Sequence, residues 1–218
     1  MRVARLLPLI VFLPVVLTAV TMAPLRALGV GDFRTRYHAA SLLYSLYSAA
    51  TVLALLKLLP STGLTRRDLG LVRPSVKDVV LGVVLLPAGF VPWVAAYLLA
   101  PGLFRGLERG MFPKIGLWEV PIQVVYAVLA APICEEILFR GFLVTYLERA
   151  LGNTWLAAVA SVAAFALIHV PRWGLAAVPV MAAWALVPTA LFVRRRNLAV
   201  PTAFHMANNV YAHVLMRL

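Results

Sequence analysis

Residues 131–142 read APICEEILFRGF, and they lie inside an apolar run that extends from about 120 to 148. The run is too long for a strand and does not alternate, so its period is that of a helix. It is also long enough to cross the hydrocarbon layer of a bilayer. Glu135, Glu136 and Arg140 therefore sit at membrane depth, where charge is costly and persists only when it is paired or used.

The rest of the chain agrees with a membrane setting. Of its 218 residues 63% are hydrophobic and only 13% charged, and the mean hydropathy is +0.92. A soluble domain is nearer half apolar and a quarter charged. A net charge of +12 raises the question of nucleic acid. The basic residues, however, fall between apolar runs, where loops meet lipid headgroups. No basic block carries the interleaved aromatics of a single-strand binder, so no nucleic-acid partner is expected. The single cysteine, Cys134, allows no disulfide framework and no CxxC metal site within one chain. Arginine outnumbers lysine 17 to 3, the bias of a GC-rich prokaryotic genome.

A backbone in lipid must satisfy its own hydrogen bonds, which leaves helices or closed barrels. The long, non-alternating runs predict an all-α, polytopic transmembrane bundle of about seven spans, with six to eight as the range. They fall at roughly 6–26, 38–59, 77–100, 120–148, 154–170, 174–193 and 197–216 by the span-length rule. The stretch 101–119, with Pro101, Gly102, Pro113 and Trp118, reads as a loop or an interfacial helix. No internal repeat is visible. The expected organisation is one integral membrane domain over 1–218, with its motif-bearing half at about 119–216.

Residues 1–23 also resemble a secretory signal, with Arg2 and Arg5 ahead of an apolar run and small residues near Ala23. The run is long for a signal core, which favours a retained first span. Placing the N-terminus inside puts Arg2, Arg5, Lys57, Arg66, Arg67, Arg73, Lys77, Arg149 and Arg194 to Arg196 inside. Arg26, Arg34, Arg36, Arg105, Arg109, Lys114, Arg172 and Arg217 then fall outside. The modest excess leans towards an N-inside topology. The expected location is the plasma membrane of a prokaryote.

On a helix, residues four apart share a face. Glu136 and Arg140 are therefore predicted to form an ion pair in the bundle interior. Glu135 points about 100° away and has no cationic partner on its own helix. It reads as a functional acid or as a polar staple between helices, and an intramembrane acid without a partner favours function. Two further sets show the same spacing. FALIH, 165–169, places Phe165 and His169 at i and i+4. HMANN, 205–209, does so for His205 and Asn209, and His213 continues that face while Asn208 lies off it. Buried imidazoles and amides need partners, so this stripe implies a polar cavity and not a lipid face.

The motifs EEILFRG at 135–141, FALIH at 165–169 and HMANN at 205–209 occur in that order on separate spans. Together they resemble the CAAX protease and bacteriocin-processing (Abi) family of intramembrane endopeptidases, over about residues 119–216. The N-terminal half is similar only in being apolar with basic loops. The resemblance implies that Glu135 and His169 activate a water. It implies that His205 and Asn209 stabilise the oxyanion at the scissile carbonyl. Glu136 and Arg140 fall on the motif's remaining charged positions, in agreement with their predicted ion pair. Amide hydrolysis needs a base for water, a proton for the leaving amine and stabilisation of developing negative charge, and these residue types supply all three. No cofactor and no metal are expected. The implied partner is a membrane-associated peptide or protein, although nothing in the sequence reads a prenyl group.

Other chemistries compete with this one. Glu135, His169 and His205 are residue types that bind zinc, but no H-E-x-x-H spacing supports a zinc-dependent protease. Cys134 next to Glu135 invites a thiol nucleophile, yet it has no basic partner on its helix to form a thiolate. A non-catalytic scaffold or a transporter with a polar cavity is the alternative of a different class. Transporters commonly carry repeats and interrupted spans in corresponding halves. Here all the unusual polar residues fall in one half.

Overall fold

The computed structural model describes residues 7–99, 102 and 113–218. Arg2, Arg5, Pro101, Arg105 and Arg109 lie outside the described residues. The first predicted span becomes α1, Leu7–Ala27, which opens as a 3-10 helix over Leu7–Phe12. It is followed by α2, Phe33–Leu58, and by α3, Val76–Leu99, which is interrupted at Leu85. Next come α4, Leu117–Leu151, and α5, Thr154–Leu167, extended by a short turn at Val170–Trp173. The last two are α6, Ala177–Arg195, and α7, Ala199–Val210, prolonged by a π turn at Tyr211–Leu215. Six of these are long and apolar enough to cross a membrane, and α7 is the shorter seventh. The predicted all-α polytopic bundle is the observed one.

The ends of the helices follow from local sequence. Asp32 caps α2 by accepting the Thr35 N–H at 2.7 Å, the ordinary role of an N-cap acid. Ser75 and Asp78 form a capping box at the start of α3. Gly152, with φ of 64°, ends α4 in the left-handed conformation, which glycine adopts without strain. The next residue, Asn153, at once caps α5 by accepting from the N–H groups of Trp155 and Leu156. These two adjacent residues close an antiparallel α4–α5 hairpin. Arg196 reaches back from the α6–α7 turn to the Glu148 carboxylate at 2.5 and 2.6 Å.

Burial ranks the helices. Two thirds of the apolar window of α4 is buried, against 11% for α3. The helix that carries Glu135, Glu136 and Arg140 is therefore the centre of the bundle. Its Leu138, Phe139 and Phe142 are fully buried, with Phe165 of α5, Phe192 of α6 and Phe204 of α7 around them. Phe139 and Phe165 meet edge to face at 5.4 Å, a favoured aromatic geometry. Helix α3 approaches α7 closely because Gly82 has no side chain. A Cβ there would collide with the Val200 carbonyl. Beyond Lys77 in its first turn, the exposed residues of α3 are largely apolar, including Val84, Val91, Leu98 and Leu99, as a lipid-facing helix requires.

Candidate active site

The central helix is not a regular α-helix. It runs as π-helix over Val124–Ala130 and again over Glu136–Val144, where an unbroken α-helix is the simpler expectation. Pro132 supplies a reason for one consequence. The Ala131 N–H bonds the Tyr126 carbonyl five residues back, the π register. The next bond in that register would join residue 132 to Ala127, and proline has no N–H to give. The Ala127 carbonyl instead accepts the Asn209 Nδ2 amide at 2.8 Å. Other helices serve the neighbouring carbonyls. Ser45 of α2 donates to Tyr126 at 3.1 Å, and Ser161 of α5 to Phe139 at 2.8 Å. Irregular backbone at membrane depth is tolerated where neighbouring helices satisfy it.

Glu136 and Arg140 pair as predicted, with Arg140 Nη1 at 3.0 Å from Glu136 Oε1 and both side chains fully buried. Arg140 Nε also donates to Thr189 Oγ1 at 3.3 Å, and its guanidinium lies 4.3 Å from the Phe165 ring centroid. The same Glu136 Oε1 lies 2.9 Å from His205 Nδ1. A carboxylate oxygen accepts, so that nitrogen carries a proton. The other ring nitrogen, Nε2, lies 3.8 Å from Glu135 Oε2. The inner glutamate thus orients the ring that faces the outer one. The sequence placed Glu136 with Arg140 but offered no sign of this link, because the partners are 69 residues apart.

His169 is turned by a helix break. Pro171 cannot donate to Leu167, so α5 ends at Leu167 and a new turn starts with His169 as its N-cap. The His169 Nδ1 lies 2.8 Å from the Phe165 carbonyl. A carbonyl only accepts, so Nδ1–H donates and the other nitrogen is left with a lone pair. The ring stacks on Trp173 at 5.0 Å.

Glu135, His169, His205 and Asn209, from α4, α5 and α7, all line one cavity of about 520 Å³. His213 lines it as well, in keeping with the predicted stripe. Asn208, read as lying off that stripe, also borders the cavity and donates to Asn209 Oδ1 at 3.2 Å. Arg140 is absent from the lining. Cys134 is buried in the apolar core and does not line the cavity, which fits a packing role. Among the described residues, no group of three or more His, Cys, Asp or Glu side chains is placed to hold a metal ion.

Two features were missed in the sequence. Tyr44 and Ser45 of α2 reach the same cavity, although the N-terminal half shows no motif. A second polar cluster surrounds buried Glu119 at the head of α4. Arg34 pairs with it, His38 Nε2 lies at 2.9 Å, and the Gly116 N–H donates to it at 2.6 Å. His38 Nδ1 continues the chain to the Tyr126 hydroxyl at 2.7 Å. The available signal was an acid at the start of an apolar span.

The segment that builds most of this cavity has recognisable relatives at the level of a family. Residues 117–211 match the family model described as Type II CAAX prenyl endopeptidase Rce1-like. Comparison with curated proteins and with solved structures gives no match. The match begins at the head of α4 and ends at the π turn of α7, so it spans the three motifs and the helices that bring them together. Residues 117–211 of this helical membrane protein are thus similar in sequence to the Rce1-like CAAX endopeptidases.

Proposed function

We propose that the protein is an intramembrane, glutamate-type endopeptidase acting on a membrane-associated peptide or protein. The observation that carries this reading is the meeting of Glu135, His169, His205 and Asn209, from three helices, on one cavity. A water held between Glu135 and His169 attacks the scissile carbonyl carbon. Glu135 takes one of its protons while the lone pair on His169 accepts a hydrogen bond and orients it. The carbonyl π electrons move onto oxygen. His205, held at Nδ1 by Glu136 and acting as the imidazolium with a proton on each ring nitrogen, stabilises that oxyanion through Nε2–H, together with the amide hydrogen of Asn209 not given to Ala127. Glu135 then passes its proton to the amide nitrogen, the C–N bond breaks, and a carboxylic acid and an amine leave.

The buried Glu136–Arg140 pair is a positioning device in this scheme. It sets the ring of His205 without touching substrate. The whole chain acts as one membrane domain, with α2 supplying Tyr44 and Ser45 to the cavity wall. We assign the protein to the plasma membrane of a prokaryote on its excess of arginine over lysine, with its N-terminus inside on the distribution of those residues in its loops.

The test is hydrolysis of apolar peptides by the purified protein in detergent, read by mass spectrometry of both fragments. Wild type should release them, and Glu135→Gln should not. Equal turnover by the two proteins would overturn the assignment of Glu135.

A further inference from the structure

Glu135 and His205 face each other on the cavity wall without closing a contact. Glu135 Oε2 stops 3.8 Å from His205 Nε2, beyond the range of a hydrogen bond. A carboxylate and an imidazolium at that distance attract each other, and more strongly in an apolar interior than in water. An unrestrained glutamate would swing onto the ring and close the pair. That contact would spend the base and the oxyanion donor on each other. His205 is fixed from behind, because Glu136 Oε1 lies 2.9 Å from its Nδ1. The restraint on Glu135 has to come from another helix.

Helix α2 packs along Ala131–Glu135, the segment that presents the glutamate. Its register there is set by Ser45, whose hydroxyl donates to the Tyr126 carbonyl at 3.1 Å. The preceding residue, Tyr44, lines the cavity together with Glu135, and its hydroxyl hydrogen-bonds the Glu135 carboxylate. An ionised carboxylate only accepts, so the phenol donates. Arg140 cannot serve in its place, since its guanidinium is engaged with Glu136 and Thr189.

We propose that Tyr44 is the positioning residue of Glu135. Its hydroxyl anchors the carboxylate and so keeps the base from pairing with His205 while the cavity is without substrate. The lone pairs that the phenol does not engage stay turned to the water. Tyr44 keeps its proton throughout the reaction and acts only through Glu135. This rests on the protease reading above and adds to it the residue that holds base and oxyanion donor apart. A tyrosine that merely filled space between α2 and α4 would not need its hydroxyl.

The experiment compares Tyr44→Phe with Tyr47→Phe in detergent. Tyr47 lies on the same helix, and its hydroxyl meets that of Thr21 at 3.0 Å, away from the cavity. Tyr44→Phe should lower kcat about ten- to a hundredfold, the scale of a lost hydrogen bond to a charged group, with KM and the thermal midpoint little changed. Tyr47→Phe should leave kcat as it is. The second readout is infrared difference spectroscopy on acidification, in which the Glu135 carboxyl band is the one missing from Glu135→Gln. In Tyr44→Phe the C=O stretch of that band should move to higher frequency, as it does when a carboxyl loses a donor. A monofluorinated tyrosine at 44, a stronger donor of nearly the same shape, should move it the other way. An unshifted Glu135 band in both Tyr44 variants overturns the proposal. So does an unchanged kcat in Tyr44→Phe, or a loss confined to KM. If wild type hydrolyses no peptide, the protease reading fails, and the infrared band still decides whether Tyr44 holds Glu135.

Discussion

His205 Nδ1 lies 2.9 Å from Glu136 Oε1, so the imidazole of α7 is oriented by the glutamate that also holds Arg140. The adjacent glutamates of α4 are thereby separated in role. Glu136 is fully buried and holds a cation and a ring through its Oε1, whereas Glu135 lines the cavity.

That separation predicts different failures. Glu135→Gln should abolish peptide hydrolysis while leaving the thermal midpoint within a few degrees of wild type. Glu136→Gln should lower the midpoint strongly, because stranding a buried charge costs about 3–5 kcal/mol. Thermal unfolding in detergent, run beside the peptide assay, distinguishes the two. A matching loss of stability in both variants, with activity surviving in Glu135→Gln, would refute the division.

Asn209 combines two tasks, and its variants should reveal both. Asn209→Ala leaves the Ala127 carbonyl without its donor, an expected destabilisation of about 1–3 kcal/mol for an unsatisfied buried group. It also removes an oxyanion donor, which typically lowers kcat by about 10²–10³. A stability loss of that size with kcat unchanged would leave Asn209 a structural role alone.

Turnover should withstand both strong chelators and Cys134→Ser within a few fold. Cys134 is packed in the core, away from the cavity. Metal analysis of the purified protein, followed by activity before and after chelation, checks the first half of this expectation. Stoichiometric zinc whose removal ends activity and whose return restores it would replace the mechanism.

The loop after α2 should be acid-sensitive. The Thr65 hydroxyl and then the Thr65 N–H hydrogen-bond the Asp68 carboxylate and hold it below its ordinary value of 3.8. A depressed carboxylate stabilises the fold above its unfolded value, and that contribution is lost as pH falls through the folded value. Thr145 of α4 docks on the Asp68 carbonyl at 3.2 Å, so protonation should loosen the loop against the central helix. Hydrogen exchange of residues 64–71 should rise below pH 3.8 in wild type. Asp68→Asn should show the faster exchange already at neutral pH.

Hydrophobic run length alone determined that the chain is an all-helical membrane bundle, because lipid leaves a spanning backbone few alternatives. The i, i+4 spacing likewise determined the Glu136–Arg140 pair, a contact within one helix. The three polar motifs were legible as residues of one kind on separate spans. Only the tertiary structure decided that they share a cavity, since contacts across 69 or 82 residues depend on how helices pack and not on any local period. It also decided what the motifs do to one another. His205 is held by Glu136, and Asn209 answers a carbonyl left free by Pro132 in a π turn that no hydrophobic pattern announces. The contribution of Tyr44 and Ser45 was illegible for the same reason. A polar residue on an apolar helix looks alike whether it meets a site or a neighbouring backbone, until the packing brings one or the other to it.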